Sequence, residues 1–222
     1  GDYVFPGGAV DDADSNPALY QRCTGLDDAQ ASARLGVQRD GLSAYIAAIR
    51  ECFEEAGVLM ATPPDGESLE PSQALLNERR ELHARKIVLT EVCVNHDLHL
   101  AVDCLHYYSH WITPEGPPRR YSTRFFAAAL PPQQQAEHDG VETVAGEWVS
   151  PHDALARNKR GEFPMILPTI AQLRLFKQSD NAADAIARVE KIVDVPTVAP
   201  YLARDSAGNL QPVVKGQVDV GQ

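Results

Sequence analysis

Nine residues, Arg50-Glu51-Cys52-Phe53-Glu54-Glu55-Ala56-Gly57-Val58, constrain this chain more than any other stretch. Wound at about 100° per residue from Glu51, Glu54 falls near 300° and Glu55 near 40°, so three carboxylates share a sector of about 100°. Ile46, Ile49, Phe53 and Ala56 cluster on the opposite side, at roughly 140–220°. The expected helix, residues 44–56, buries that side and offers three acids on the other, with Ser43 as N-cap and Gly57 as stop. Three like charges this close repel, raise one another's pKa and weaken the helix through the i,i+4 pair. A divalent cation removes that penalty, and oxygen donors in this number suit Mg²⁺ or Mn²⁺ better than zinc. A plain solvated acidic face is the alternative that the segment alone leaves open.

The charge balance does not exclude a phosphate-bearing small molecule, provided a bound cation supplies the positive charge. Lys plus Arg number 20 against 31 Asp plus Glu, a formal charge of −11. This argues against a nucleic-acid binder with a broad basic face and against adhesion to anionic membranes. No apolar run approaches the roughly 18 residues of a transmembrane helix. A chain of 222 residues can bury a core without staples. Cys23, Cys52, Cys93 and Cys104 stand in no zinc-ligand or Cys-x-x-Cys spacing. They read as free thiols of a reducing, cytoplasmic compartment.

Along the chain, Tyr3-Val4-Phe5 reads as the end of a strand and 11–43 as loop with one short helical turn. Residues 72–95 read as two helices, His106–Ile112 and Tyr121–Leu130 as the strands of a hairpin, and Trp148-Val149 as a short strand. Ser150 should cap a helix starting at Pro151. Further helices are expected at 168–176 and 182–193, and an irregular tail after Pro196. Trp111 and Trp148 read as core. The order of elements is that of an α/β or α+β layered domain. His106 and His110 are roughly 13 Å apart on one strand face, too far to share a metal.

Phe5-Pro6-Gly7-Gly8 followed by the acidic segment resembles the box of the Nudix hydrolase family. That box runs Gly, five residues, Glu, seven residues, then Arg-Glu-apolar-x-Glu-Glu-x-Gly-apolar. Its second half matches from Arg50 to Val58 at every defined position. In the first half, Asp14 stands where the family has Glu. Asp14 and Arg50 are 36 positions apart where the family has eight, an insertion of 28 residues. The insertion, with His106-Tyr107-Tyr108-Ser109-His110-Trp111-Ile112-Thr113-Pro114-Glu115 and Thr123-Arg124-Phe125-Phe126, is similar to the peroxisomal coenzyme A diphosphatases and their bacterial relatives.

The resemblance implies a Nudix-type α/β/α sandwich with a mixed sheet. It implies a single domain over 1–195 with inserts at about 15–43 and 61–104, and a tail over 196–222. The family's N-terminal strands would be missing, leaving an edge that a homodimer could cover. It also implies roles. Glu51, Glu54, Glu55 and the Gly7 carbonyl would hold Mg²⁺ or Mn²⁺, and Arg50 would orient the glutamates. Glu51 or Glu142 would accept the proton of the attacking water, with Glu137, Asp139 and Glu147 as rivals to Glu142. Arg119, Arg120 and Arg124 are candidates for gripping outer phosphates. The implied reaction is hydrolysis of a diphosphate in a small molecule, coenzyme A or an acyl thioester of it. ADP-ribose, dinucleotides, nucleotide sugars and a non-catalytic binding module are the alternatives.

Overall fold

The computed structural model describes residues 1–116, 118–137, 146–204 and 208–214. These form two compact units, Phe5–His106 with Ala128–Trp148, and Gly1–Val4 with Tyr107–Ala127 and Val149–Gln222. Among the described residues no helix is long and apolar enough to cross a membrane.

The unit built on Phe5–His106 opens with a 3-10 turn, Asp12–Ser15. After it come α1 (Pro17–Tyr20), β1 (Cys23–Thr24), α2 (Asp28–Leu35), α3 (Gly41–Ala56), β2 (Ala61–Thr62), α4 (Gln73–His83), α5 (Leu89–Asn95) and β3 (His99–Ala101). β3 is the middle strand of three, with β1 parallel to it and β2 antiparallel. Cys23 and Ala61 both stand opposite Leu100. The spine is α3, whose Tyr45, Ile46, Ile49 and Phe53 are at most 1 % exposed. Each side chain so buried contributes about 1.5–3 kcal/mol over leaving it in water.

Two corrections to the sequence reading meet at the start of α3. The segment 11–43 is not loop but holds a 3-10 turn and two helices. The cap of α3 is not Ser43, and the helix starts at Gly41. Ser43 Oγ instead donates to Asp40 O at 2.6 Å. The first amides of α3 are satisfied from α2: Gly41 N–H donates to Ser32 Oγ and Leu42 N–H to Asp28 Oδ1, both at 2.9 Å. A Cβ on Gly41 would lie 2.4 Å from the Ser32 backbone, so only glycine permits this approach.

In the other unit, which β4 (His106–Ile112) enters at Tyr107, come β5 (Ser122–Ala127), α6 (Pro151–Lys159), α7 (Leu167–Phe176), α8 (Ala182–Val189), β6 (Thr197–Val198), β7 (Tyr201–Arg204) and β8 (Leu210–Val213). β4 lies between β5 and β6, and β7 pairs with β8. Ala154, Phe163, Met165 and Leu173 form a core cluster onto which Tyr3, Val149, Leu155 and Ile170 pack. Ser150 caps α6, accepting from Asp153 N–H at 3.1 Å. Tyr3 contributes a single parallel bridge to Met165 rather than a strand end.

The tail after Pro196 is not irregular. β6 pairs in parallel with β4, His110 opposite Thr197, and partners that distant leave no local pattern to read. Trp148-Val149 is not a strand and Trp148 is not core, being 73 % exposed. That segment runs directly into the Ser150 cap of α6. α8 stops at Val189. Helices and mixed sheets together make this an α/β chain.

Candidate active site

Arg50 is the hub of the acidic helix. It is 6 % exposed, and Asp14 is 1 % exposed. Its Nε and Nη2 donate to Asp14 Oδ1 and Oδ2, each at 2.9 Å, a two-pronged pair across the insertion. Nη2 also donates to Ala9 O at 2.8 Å. Nη1 donates to Glu51 Oε1 at 2.7 Å and to Glu54 Oε1 at 3.3 Å. Asp11 adds a looser ion pair at 3.9 Å. Burial works against the Arg50 charge, but the bonds and charges of Asp14 and Glu51 outweigh it and hold the guanidinium above its ordinary range.

The acids do not form an open, solvated face. The Glu51 and Glu54 side chains are 14 % and 13 % exposed, and Glu55 is 9 % exposed. Glu55 Oε2 accepts from Gly7 N–H at 3.4 Å, and His83 Nδ1 on α4 lies 3.7 Å from Glu54 Oε2. Burial pushes the Glu54 carboxyl up; Arg50 opposes this, Glu51 adds to it and His83 opposes it.

The donor set fits a hard divalent cation. One guanidinium faces four carboxylates, those of Asp11, Asp14, Glu51 and Glu54, and Glu55 stands beside them. Carboxylates gathered this closely repel one another, and all-oxygen ligands suit ions such as Mg²⁺. Among the described residues no three His, Cys, Asp or Glu side chains already stand at a metal-holding spacing. Glu51 and Glu54 both lean on Arg50 instead.

Gly8 is the floor beneath Glu51. A Cβ there would lie 2.3 Å from Glu51 Oε1 and 2.5 Å from its carboxyl carbon. The obstructing atoms end a flexible side chain, so Gly8→Ala should move the carboxylate and spare the fold. We expect its melting temperature to stay within a few degrees of wild type while affinity for a divalent cation drops about tenfold or more. Calorimetric titration with Mn²⁺ checks this, and unchanged affinity would remove Glu51 from the ligand set.

Glu142 lies outside the described residues. Arg119, Arg120 and Arg124 belong to the unit built on Tyr107–Ala127. Arg120 Nε there donates to Thr113 O at 3.1 Å. Burial and then Arg124 lower the His110 pKa. Both ring nitrogens of His110 are engaged, with Thr197 Oγ1 at 2.9 Å and Ser122 Oγ at 2.8 Å. Burial pushes the Cys52 thiol up to about 11 and those of Cys23 and Cys93 up to about 12, which makes them poor nucleophiles.

Arg79 and His83, one turn apart on α4, are brought to the acidic helix and were not read from the sequence. Arg79 is 8 % exposed, and its Nε and Nη2 donate to main-chain carbonyls of Glu54, Glu55 and Glu137. Nothing in the local pattern of α4 marks these two residues apart from its other charged positions.

Comparison with known proteins follows the same segment. The sequence profile described as the NUDT19 Nudix domain matches residues 27–175. The human protein named acyl-coenzyme A diphosphatase NUDT19 is 29 % identical over 189 residues, covering 69 % of this chain and 50 % of the relative. The chicken (Gallus gallus) protein of that name is 30 % identical over 212 residues, covering 77 % and 55 %. The chain thus spans about half the length of these curated relatives. Among solved structures, a Nudix hydrolase from Alicyclobacillus acidocaldarius superposes with a TM-score of 0.70 at 25 % identity, covering 88 % of this chain and 83 % of its own.

Proposed function

Because the chain belongs to the Nudix hydrolase family, we propose that it hydrolyses the diphosphate linkage of coenzyme A or its acyl thioesters, with Mg²⁺ or Mn²⁺ as cofactor. One observation carries the substrate: relatives named acyl-coenzyme A diphosphatase align over 69 % and 77 % of this chain. The half-buried carboxylates around Arg50 carry the chemistry.

In this reading Glu51, Glu54, Glu55 and the Gly7 carbonyl hold the cation. The bound cation supplies neutralisation of the phosphate charge that builds during attack. Arg50, held charged by Asp14, fixes the rotamers of Glu51 and Glu54 and leaves them net negative. Glu51 accepts the proton as water oxygen bonds to phosphorus and the bridging P–O bond breaks; Glu142 is its rival. The excess of acids over bases poses no barrier, since the cation and not the protein surface meets the phosphates.

Product analysis by mass spectrometry tests this. The panel holds coenzyme A, acetyl and longer thioesters, ADP-ribose, NADH and a dinucleoside polyphosphate, each with Mg²⁺ or Mn²⁺. Cleavage of coenzyme A into 4′-phosphopantetheine and 3′,5′-ADP is the expected result. Cleavage of ADP-ribose or a dinucleotide alone keeps the hydrolase and overturns the substrate. Absence of turnover on the whole panel favours a binding module.

A further inference from the structure

The C-terminal turn of α3 carries two of the three box glutamates, and its carbonyls are those a helix leaves without internal partners. Here each has one. Cys52 O accepts from Val58 N–H at 3.4 Å and Phe53 O from Gly57 N–H at 3.0 Å. Glu54 O accepts from Arg79 Nε at 3.0 Å and Glu55 O from Arg79 Nη2 at 3.1 Å. Ala56 O accepts from Glu137 N–H at 2.8 Å. Glu137 O in turn accepts from Arg79 Nη2 at 2.8 Å. One guanidinium thus joins the glutamate-bearing turn to the segment at Glu137, from a helix 25 residues downstream.

We infer that Arg79 is a positioning residue: it clamps the turn of α3 to the segment at Glu137 and so fixes the backbone from which Glu54 and Glu55 reach the cation. The inference rests on the proposed metal site and adds to it a residue outside the box. Three features favour it. The guanidinium is buried, and its Nε and Nη2 donate to these carbonyls. A cation at a helix C-terminus is favoured by the macrodipole. The planar fork of arginine satisfies three carbonyls at once, which the single ammonium point of lysine cannot reproduce. Gly57 is shaped around the clamp: its φ is +71°, and a Cβ there would lie 2.8 Å from Arg79 Nη1. The helical insertion bearing α4 is then a working part of the site.

The test compares Arg79→Lys and Arg79→Met with Leu75→Ala, all in the full chain. Leu75 is 1 % exposed on α4, so its truncation destabilises that helix while leaving the Arg79 side chain itself unchanged. Mn²⁺ affinity is read from the free-ion electron spin resonance signal, and amide exchange is followed over 54–58 and 134–137. Expected are a tenfold or greater loss of Mn²⁺ affinity and faster exchange in both segments for Arg79→Lys. In turnover, kcat should fall further than KM rises. Leu75→Ala, at a similar drop in melting temperature, should keep wild-type affinity. If Arg79→Met does not fold, Arg79→Lys decides alone. Wild-type affinity and exchange in Arg79→Lys overturn the inference, as does an equal loss of affinity in Leu75→Ala. Failure of wild type to bind Mn²⁺ overturns the metal site itself and the inference with it.

Discussion

Glu54→Gln should lower turnover by about 10²–10³-fold or more, the range seen when one pre-placed electrostatic element is removed from a reacting centre. It should do so without loss of stability when no divalent ion is present. Burial raises the Glu54 carboxyl above its ordinary range, so the folded chain favours the protonated form. For a carboxyl raised on folding, the stabilising contribution is complete below the unfolded value, about 4.3. It is lost as pH rises through the higher folded value. Above that range wild type carries an ionised group that it disfavours and Glu54→Gln does not. The difference in melting temperature between variant and wild type should therefore move in favour of the variant from about pH 4 to about pH 7 in EDTA. Adding Mg²⁺ should reverse it, since an ion that binds only the folded state stabilises by mass action and the variant binds it less. Thermal melts at three pH values, with EDTA and with Mg²⁺, read the whole pattern. A variant that turns over normally, or is less stable than wild type at neutral pH in EDTA, would contradict it.

How local a signal is decides which parts of the site could be read in the sequence. The box helix was legible because its signal is local: an apolar face at helical spacing, acids opposite and Gly57 at the end. Ile46, Ile49 and Phe53 are buried and the helix stops at Ala56 as that pattern implies. Its start was misplaced because Ser32 and Asp28, a whole helix earlier, cap it. α2 escaped notice because its buried face is Ala31, Ser32 and Leu35, small residues among them for close backbone approach to Gly41 and nearly silent as a hydrophobic stripe. β6, just after Pro196, depends on a partner 87 residues away, with His110 against Thr197, whereas β7 and β8 pair only with each other. Trp148 misled for the opposite reason, since size and apolarity are a one-way guide to burial. Arg79 was illegible because main-chain carbonyls attract it, and they have no sequence identity. Asp14 was identified by position alone. What the sequence did not disclose is that 36 intervening positions close so that its carboxylate meets Arg50 with both oxygens.

That closure carries the largest expected effect on folding. Arg50→Met would leave Asp14, 1 % exposed, as an uncompensated buried charge beside Glu51 and Glu54. Removing one partner of such a pair costs about 3–5 kcal/mol, a large part of the roughly 5–15 kcal/mol that holds a domain folded. The insertion itself is a smaller term. Lengthening the loop from eight to 36 positions adds roughly 1.3 kcal/mol of closure entropy on a (3/2)RT ln n scale. The pair thus exceeds the cost of the loop it closes, so the two halves of the box can stay joined across a long insertion. Three variants and their combination separate this from plain charge loss. Asp14→Asn keeps the shape and should weaken the protein less than Arg50→Met does. The double variant should be less destabilised than the sum of the two by about 1–3 kcal/mol, because the buried charge and its partner leave together. Asp14→Glu restores the residue type of the family box but adds a methylene to a closed pocket, and should cost about 1–3 kcal/mol through overpacking. Urea unfolding of wild type and all four variants measures the cycle. Additive losses would mean that Asp14 and Arg50 act independently and that something other than their pairing closes the insertion. An Asp14→Glu variant as stable as wild type would mean that the carboxylate, and not the reach of the side chain, sets the fit.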